Sequence, residues 1–221
     1  MGPLHVSATE SLPEVLPSTR LYLLRHAEVE ARYQGIFGGV IDMDLSPRGH
    51  QQAHALANYL RGTSFDVVYA SPMRRVQQTL APALANGIPT PIIRPEFREM
   101  DFGAWTGLAW EETQIRFGIS AWSWLDQIDA GNIPKADTGP GLRARVEPPL
   151  HDLLRQHSGQ SIAIFCHGGI IRVILSILLQ LPLARAAMFE IDYASVTRVL
   201  WPAAHPRLEL VNFTPWRDLP S

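Results

Sequence analysis

The sequence predicts an α/β fold in three layers, with a mostly parallel central sheet, helices on both faces and an irregular cap region. Three observations carry this. Short apolar runs alternate with amphipathic helical stretches along most of the chain, the pattern of a parallel sheet with crossover helices. Ser, Pro and Gly stand where those helical stretches start and stop. Polar residues gather directly after successive apolar runs, where such a sheet offers its carboxyl edge to ligands. A chain of 221 residues with 46% hydrophobic content can bury one substantial core. A single domain over residues 21–221 is therefore expected, preceded by a flexible arm over residues 1–20.

The arm lacks a basic start and a continuous apolar stretch, so it reads as neither signal peptide nor membrane anchor. Its Met1-Gly2 start is discounted as a myristoylation signal because Val6 stands where that motif needs Ser or Thr. The first strand, LYLLRH, places four apolar residues before Arg25 and His26. A glycine-rich loop (Gly35, Gly38, Gly39) leads to SPRGHQQAHALANYLRG, a helix with Ser46 as N-cap and Pro47 at its first position. Its Ala53, Leu56, Ala57 and Leu60 share one face. A second strand, FDVVYAS, feeds PMRRVQQTLAPALANG, with Pro72 at the helix start and Gly87 at its end. A third strand, PIIRPEF, runs into REMDFGAW. The segment from about 108 to 150, rich in Trp, Gly and Pro, breaks the rhythm and reads as a cap inserted over one end of the sheet. The fourth strand, SIAIFC, passes through HGG into the apolar helix IIRVILSILLQ, and ASVTRVLW and RLELVNFT read as late strands paired at one edge.

Composition narrows the function. A net charge of −2 with both signs interspersed leaves no basic face for nucleic acid, and no apolar run is long enough to span a bilayer. The single cysteine, Cys166, excludes an intrachain disulfide and fits a reducing, cytoplasmic setting. It reads as a small buried strand residue rather than a catalytic thiol.

The strand ends carry the chemistry. Arg25 and His26 end the first strand, Arg75 follows the second, Glu99 the third, and His167 ends the fourth. In a parallel sheet these groups meet at one edge. Guanidinium forks match phosphate oxygens, an imidazole can attack phosphorus, and a carboxyl group can protonate a leaving oxygen. The combination points to phosphoryl transfer.

With those residues in place, LRHAE resembles the RHG signature of the histidine phosphatase (phosphoglycerate mutase-like) superfamily, with Ala27 for the usual glycine. GGVIDMDLSPRGHQQA, YASPMRRVQQT, REMDFGAWTG and CHGG resemble further family segments, in order, and the likeness covers nearly all of residues 21–213. The resemblance implies a metal-independent phosphomonoesterase working through a phosphohistidine, on the phosphatase branch that includes α-ribazole and broad-specificity phosphatases. By position, His26 is the nucleophile, Glu99 the proton donor and then the base for water. Arg25, Arg75 and His167 hold the phosphate, with the backbone N–H of Gly168 as an additional donor. Arg74 reads as solvated, and Tyr69, Cys166 and the tryptophans as packing. Arg32 stands where many members carry a phosphate-touching asparagine, and either adds a guanidinium to the site or swings out to solvent. The family's glycine-glutamate pair before the late helix is matched weakly, by Ala136-Asp137.

No cofactor and no metal are expected. The partner expected is a small phosphorylated metabolite, not nucleic acid or a membrane, and a homodimer stays open. Three rivals remain: a cofactor-dependent phosphoglycerate mutase, a metal hydrolase, and an inactive binding member of the fold. The scarcity of acidic partners near His26 and His167 weighs against the second, and the presence of His26, Arg75, Glu99 and His167 against the third.

Overall fold

The computed structural model describes residues 17–201 and 205–219. Most of the expected arm, residues 1–16, lies outside them, and the first strand begins before the arm's expected end. In chain order the elements are β1 (Thr19–Arg25), α1 (Pro47–Leu60), β2 (Val67–Ala70), α2 (Arg74–Ala85), β3 (Ile92–Ile93), α3 (Trp110–Phe117), α4 (Trp124–Ala130), α5 (Gly139–Gln156), β4 (Ser161–Cys166), α6 (Gly168–Leu178), β5 (Val196–Trp201), β6 (Arg207–Phe213) and α7 (Pro215–Asp218).

Six strands form one sheet in the order β3-β2-β4-β1-β5-β6. The first four are parallel, and β5 and β6 add to the β1 edge as an antiparallel pair. β1 shows how the layers arise. Because successive side chains point to opposite faces, Leu21 and Leu23 enter one core with α5 and α6, while Tyr22 and Leu24 enter the other with α1. Both faces are covered, which is why β1 and β4 read as continuous apolar runs rather than alternating ones. Each fully buried leucine or isoleucine here contributes about 1.5–3 kcal/mol.

The helix signals act as expected at α1, where Ser46 Oγ accepts the Gly49 N–H at 2.9 Å and Pro47 opens the helix. At α2 the start falls later: Met73 is the N-cap, and Pro72 belongs to the turn after β2. The segment expected as a cap divides in two. Residues from about 108 to 138 hold α3, α4 and the short 3-10 turn Ala121–Ser123 beside the site. Residues 139–150 form the first two-thirds of α5, whose Leu142, Val146, Leu150, Leu153 and Leu154 lie in the main core. Pro148 and Pro149 sit inside that helix, where each removes an N–H from the helical ladder; the buried apolar stripe outweighs the loss.

Candidate active site

Parallel β1, β2 and β4 end side by side, and the loops after them deliver the polar groups. Arg25, His26, Arg75, Glu99 and Gly168 line one cavity of about 1040 Å³. His167 does not itself line the cavity; it is fully buried behind His26, with the two ring centroids 5.2 Å apart.

His26 is 5% exposed. Its Nδ1 lies 2.8 Å from the Ala27 carbonyl, and Arg75 Nε donates toward its Nε2 at 3.3 Å. A carbonyl can only accept and a guanidinium can only donate, so both contacts select the same tautomer: hydrogen on Nδ1, lone pair on Nε2. Burial first, then the Arg75 and Arg25 charges, hold the His26 pKa well below the ordinary 6.5. The ring is thus neutral at neutral pH, and Nε2 carries the lone pair, which here accepts the Arg75 N–H. The turn that carries it is pinned: the Ala27 N–H donates to Thr79 Oγ1 at 2.8 Å, and Thr79 donates to the Arg75 carbonyl at 2.7 Å.

Arg75 is 2% exposed and donates to the Ile41 and Gly39 carbonyls at 2.8 and 3.0 Å. Burial lowers its pKa to about 10, which leaves it charged at neutral pH. Arg25 donates to the Ile191 carbonyl at 2.6 Å and stacks 4.1 Å from the Tyr193 ring centroid, a cation–π contact that orients its fork. Its buried Nε has no partner.

His167 caps α6, and its Nε2 pairs with Ser71 Oγ at 2.8 Å. Ser71 Oγ also accepts from the Met73 N–H at 3.4 Å, and with two lone pairs and one hydrogen it can meet either tautomer of the ring. The ring Nδ1 is buried without a partner. Burial first, then the surrounding Arg75, His26, Arg25 and Arg145, push the His167 pKa down as well. The orphaned Arg25 Nε–H donor and the unpartnered His167 ring nitrogen, in a setting dominated by arginines, make a place for anionic oxygens.

Glu99 follows the short β3 segment. Its carboxylate accepts from the Gly169 N–H at 3.2 Å, in the first turn of α6, and from its neighbour Met100 N–H at 3.1 Å. Gly168 stands so close to Arg25 that an added Cβ would lie 3.3 Å from Arg25 Nε.

Arg32 is not part of this cluster. It lies in the 3-10 turn Ala31–Tyr33, about two-thirds exposed, pairs with Glu30 at 2.9 Å and does not line the cavity. The neighbouring carboxylate and open solvent draw it outward. Arg74, as expected, is exposed and bound to Asp44. Cys166 and Tyr69 are packing residues, but the tryptophans divide. Trp105 is core, whereas Trp110, Trp122 and Trp124 line the cavity with Phe37 and Phe102, and Trp122 is 84% exposed.

Sequence reasoning did not single out Ser71, Thr79, Tyr193 or Arg172. Ser71 and Thr79 lie within the quoted YASPMRRVQQT, so a search for hydroxyl partners of the buried ring and turn would have found them. Tyr193 sits in a turn without a local signature. Arg172, one turn into α6, lines the cavity and donates to the Phe189 and Gly168 carbonyls. Among the described residues, no group of three His, Cys, Asp or Glu is placed to hold a metal ion, and no helix is long and apolar enough to cross a membrane.

A buried neutral histidine with its lone pair among arginines, a second histidine behind it and a loop carboxylate seated on the first turn of α6 define the site, and sequence comparison assigns its class. The chain belongs to the histidine phosphatase superfamily (branch 1), whose model matches residues 21–214. It is similar to the adenosylcobalamin/alpha-ribazole phosphatase of Escherichia coli strain K12, 32% identical over 184 residues, covering 78% of this chain and 85% of that protein. Phosphoserine phosphatase 1 of Hydrogenobacter thermophilus is 29% identical over 177 residues, covering 80% and 83%. Among solved structures, a phosphoserine phosphatase from Entamoeba histolytica in complex with 3-phosphoglyceric acid superposes with a TM-score of 0.75 at 26% identity, covering 89% of this chain and 98% of that one. Family and relatives together identify a phosphatase.

Proposed function

We propose that this protein is a metal-independent phosphomonoesterase that passes the phosphoryl group of a small metabolite through His26 to water. The observation that carries this is the fixed tautomer of His26, with Nδ1 held by the Ala27 carbonyl and Nε2 left as the reactive atom. In the first step the Nε2 lone pair attacks phosphorus, an N–P bond forms, and the bond from phosphorus to the alcohol oxygen breaks. Glu99 gives its proton to that oxygen. In the second step Glu99 takes a proton from water, the hydroxide oxygen bonds to phosphorus, and the N–P bond returns its electrons to Nε2. Arg25, Arg75, His167 and the Gly168 N–H hold the phosphoryl oxygens. Their fixed charges and donors do the work that a metal ion does in other phosphoryl transfers.

The cavity wall bears on the alcohol. Over residues 100–131 Arg116 is the sole basic residue against five carboxylates, Asp101, Glu111, Glu112, Asp126 and Asp129. That arginine is paired with Glu112 and does not line the cavity, whereas Glu111 and three tryptophans do. A mutase needs cap cations to hold a bisphosphorylated intermediate, so this cap segment favours hydrolysis; the further cations that line the cavity, Arg172 and Arg217, stand on α6 and α7. A panel of phosphomonoesters assayed with EDTA present tests the reading. Phosphate release that survives chelation is expected. Complete and metal-reversible loss, or isomerisation of 3-phosphoglycerate with 2,3-bisphosphoglycerate faster than any hydrolysis, contradicts it.

A further inference from the structure

The Glu99 loop is held from an unexpected direction. Arg145, on the second turn of α5, donates through Nη1 to the Arg98 carbonyl at 2.9 Å and through Nη2 to Asp137 Oδ2 at 3.1 Å. The same Asp137 oxygen accepts the Asp101 N–H at 3.0 Å, and the Asp137 N–H donates back to the Asp101 carbonyl at 2.9 Å. One ion pair therefore grips the backbone at Arg98 and at Asp101, the two residues that bracket Glu99-Met100. Its side chains are only 12% and 24% exposed, which shields the pair from solvent competition. On the other side the loop is anchored by the fully buried Phe97 and Met100 side chains. Glu99 is left with its backbone fixed at both ends and its carboxylate on the Gly169 N–H.

We propose that Arg145 and Asp137 form a positioning clamp that holds Glu99 in reach of the leaving-group oxygen. The clamp does not touch substrate: neither residue lines the cavity. Its positioning effect passes through Glu99, beside the weaker charge effect of Arg145 on His167, so this inference rests on the reading of Glu99 as the proton donor. It also gives a role to Asp137, the weakest of the family-like matches in the sequence, at the point where the cap meets the main core.

A role through the acid has a signature that loss of stability lacks. The alkoxide of benzyl phosphate needs a proton to leave, whereas p-nitrophenolate hardly does. Arg145→Met keeps the packed stem and removes the fork. We expect about a 10- to 100-fold loss in kcat/KM, which reports the leaving-group step alone, on benzyl phosphate and less than about a 3-fold loss on p-nitrophenyl phosphate, as for a misplaced catalytic group. Glu99→Gln is the control. If it splits the two substrates and Arg145→Met does not, the clamp is wrong; if Glu99→Gln itself gives no split, the acid reading fails first. The double variant decides further. Acting through one group, Glu99→Gln with Arg145→Met should be no slower on benzyl phosphate than Glu99→Gln alone, and multiplying losses would overturn the clamp. Should Arg145→Met fail to fold, Asp137→Asn keeps an acceptor for the Asp101 N–H while giving up the charge. It should show the same split in smaller measure, and equal losses on both substrates would refute the proposal.

Discussion

Gly169→Ala is a one-methyl test of how tightly the proton donor is seated. Gly169 is the second residue of α6, and a Cβ there would stand 2.5 Å from Glu99 Oε1 and 2.6 Å from Met100 Cε. Both obstacles are tips of side chains, so the fold can accept the methyl by moving them. Restoring an ordinary contact of 3.4 Å requires the carboxylate to retreat by about 0.9 Å, and a catalytic group misplaced by about 1 Å costs on the order of 100-fold in rate. The helix itself should not suffer, since alanine exceeds glycine in helix propensity by up to about 1 kcal/mol. The assay is kcat/KM on benzyl phosphate and on p-nitrophenyl phosphate, beside a thermal melt. The expected outcome is an unchanged or slightly raised Tm, a loss of about 10- to 100-fold on the benzyl ester and a much smaller loss on the nitrophenyl ester. A stable variant with full activity on benzyl phosphate would refute the reasoning, because the acid would then work without its seat.

Three further outcomes follow from the same structure. Arg32→Ala should change kcat/KM by less than about 2-fold, as for an exposed surface pair; a loss comparable to that of Arg75→Ala would return Arg32 to the site. His26 and His167 both have folded pKa values below the unfolded 6.5, so the unfolded chain binds more protons and stability rises with pH across that window. Their contribution is fully present above pH 6.5 and is lost as pH falls from there toward the folded values; Tm should drop between pH 7 and 5, less so in His26→Ala, and a flat profile would contradict the buried neutral pair. Trp122→Ala should raise KM for aryl and benzyl phosphates by several-fold with little change for a small alkyl phosphate, since base-free stacking surface of this kind contributes about 0.5–1.5 kcal/mol, and an equal effect on both would show that Trp122 does not meet the alcohol.

Much of this architecture was legible because local signals and burial agree. The apolar residues of β1 and β4 fill both cores, and Ser46-Pro47 opens α1 as its chemistry requires. The four strand ends converge because parallel strands must place their carboxyl ends together. The boundary of the cap was not legible. Pro148 and Pro149 mask α5, although Leu142, Val146, Leu150 and Leu153 carry the helical spacing that reveals it. Arg32 illustrates a different limit: position along the chain says where a Cα falls, but whether a long side chain turns inward depends on neighbours such as Glu30. Tyr193 and the Arg145–Asp137 pair belong to the same class, because their partners lie far away in sequence and only the tertiary fold brings them together.

The central claim is the covalent one, that the phosphoryl group rests on His26 Nε2 between alcohol and water. Rapid mixing with phosphorus-labelled substrate, an alkaline denaturing quench and peptide mapping measure it directly. The account predicts a base-stable, acid-labile label on the peptide carrying His26, formed as fast as the alcohol is released and absent from His26→Ala, which should also be inactive. Turnover with no label on His26 in the parent enzyme, or near-normal hydrolysis by His26→Ala, would contradict it.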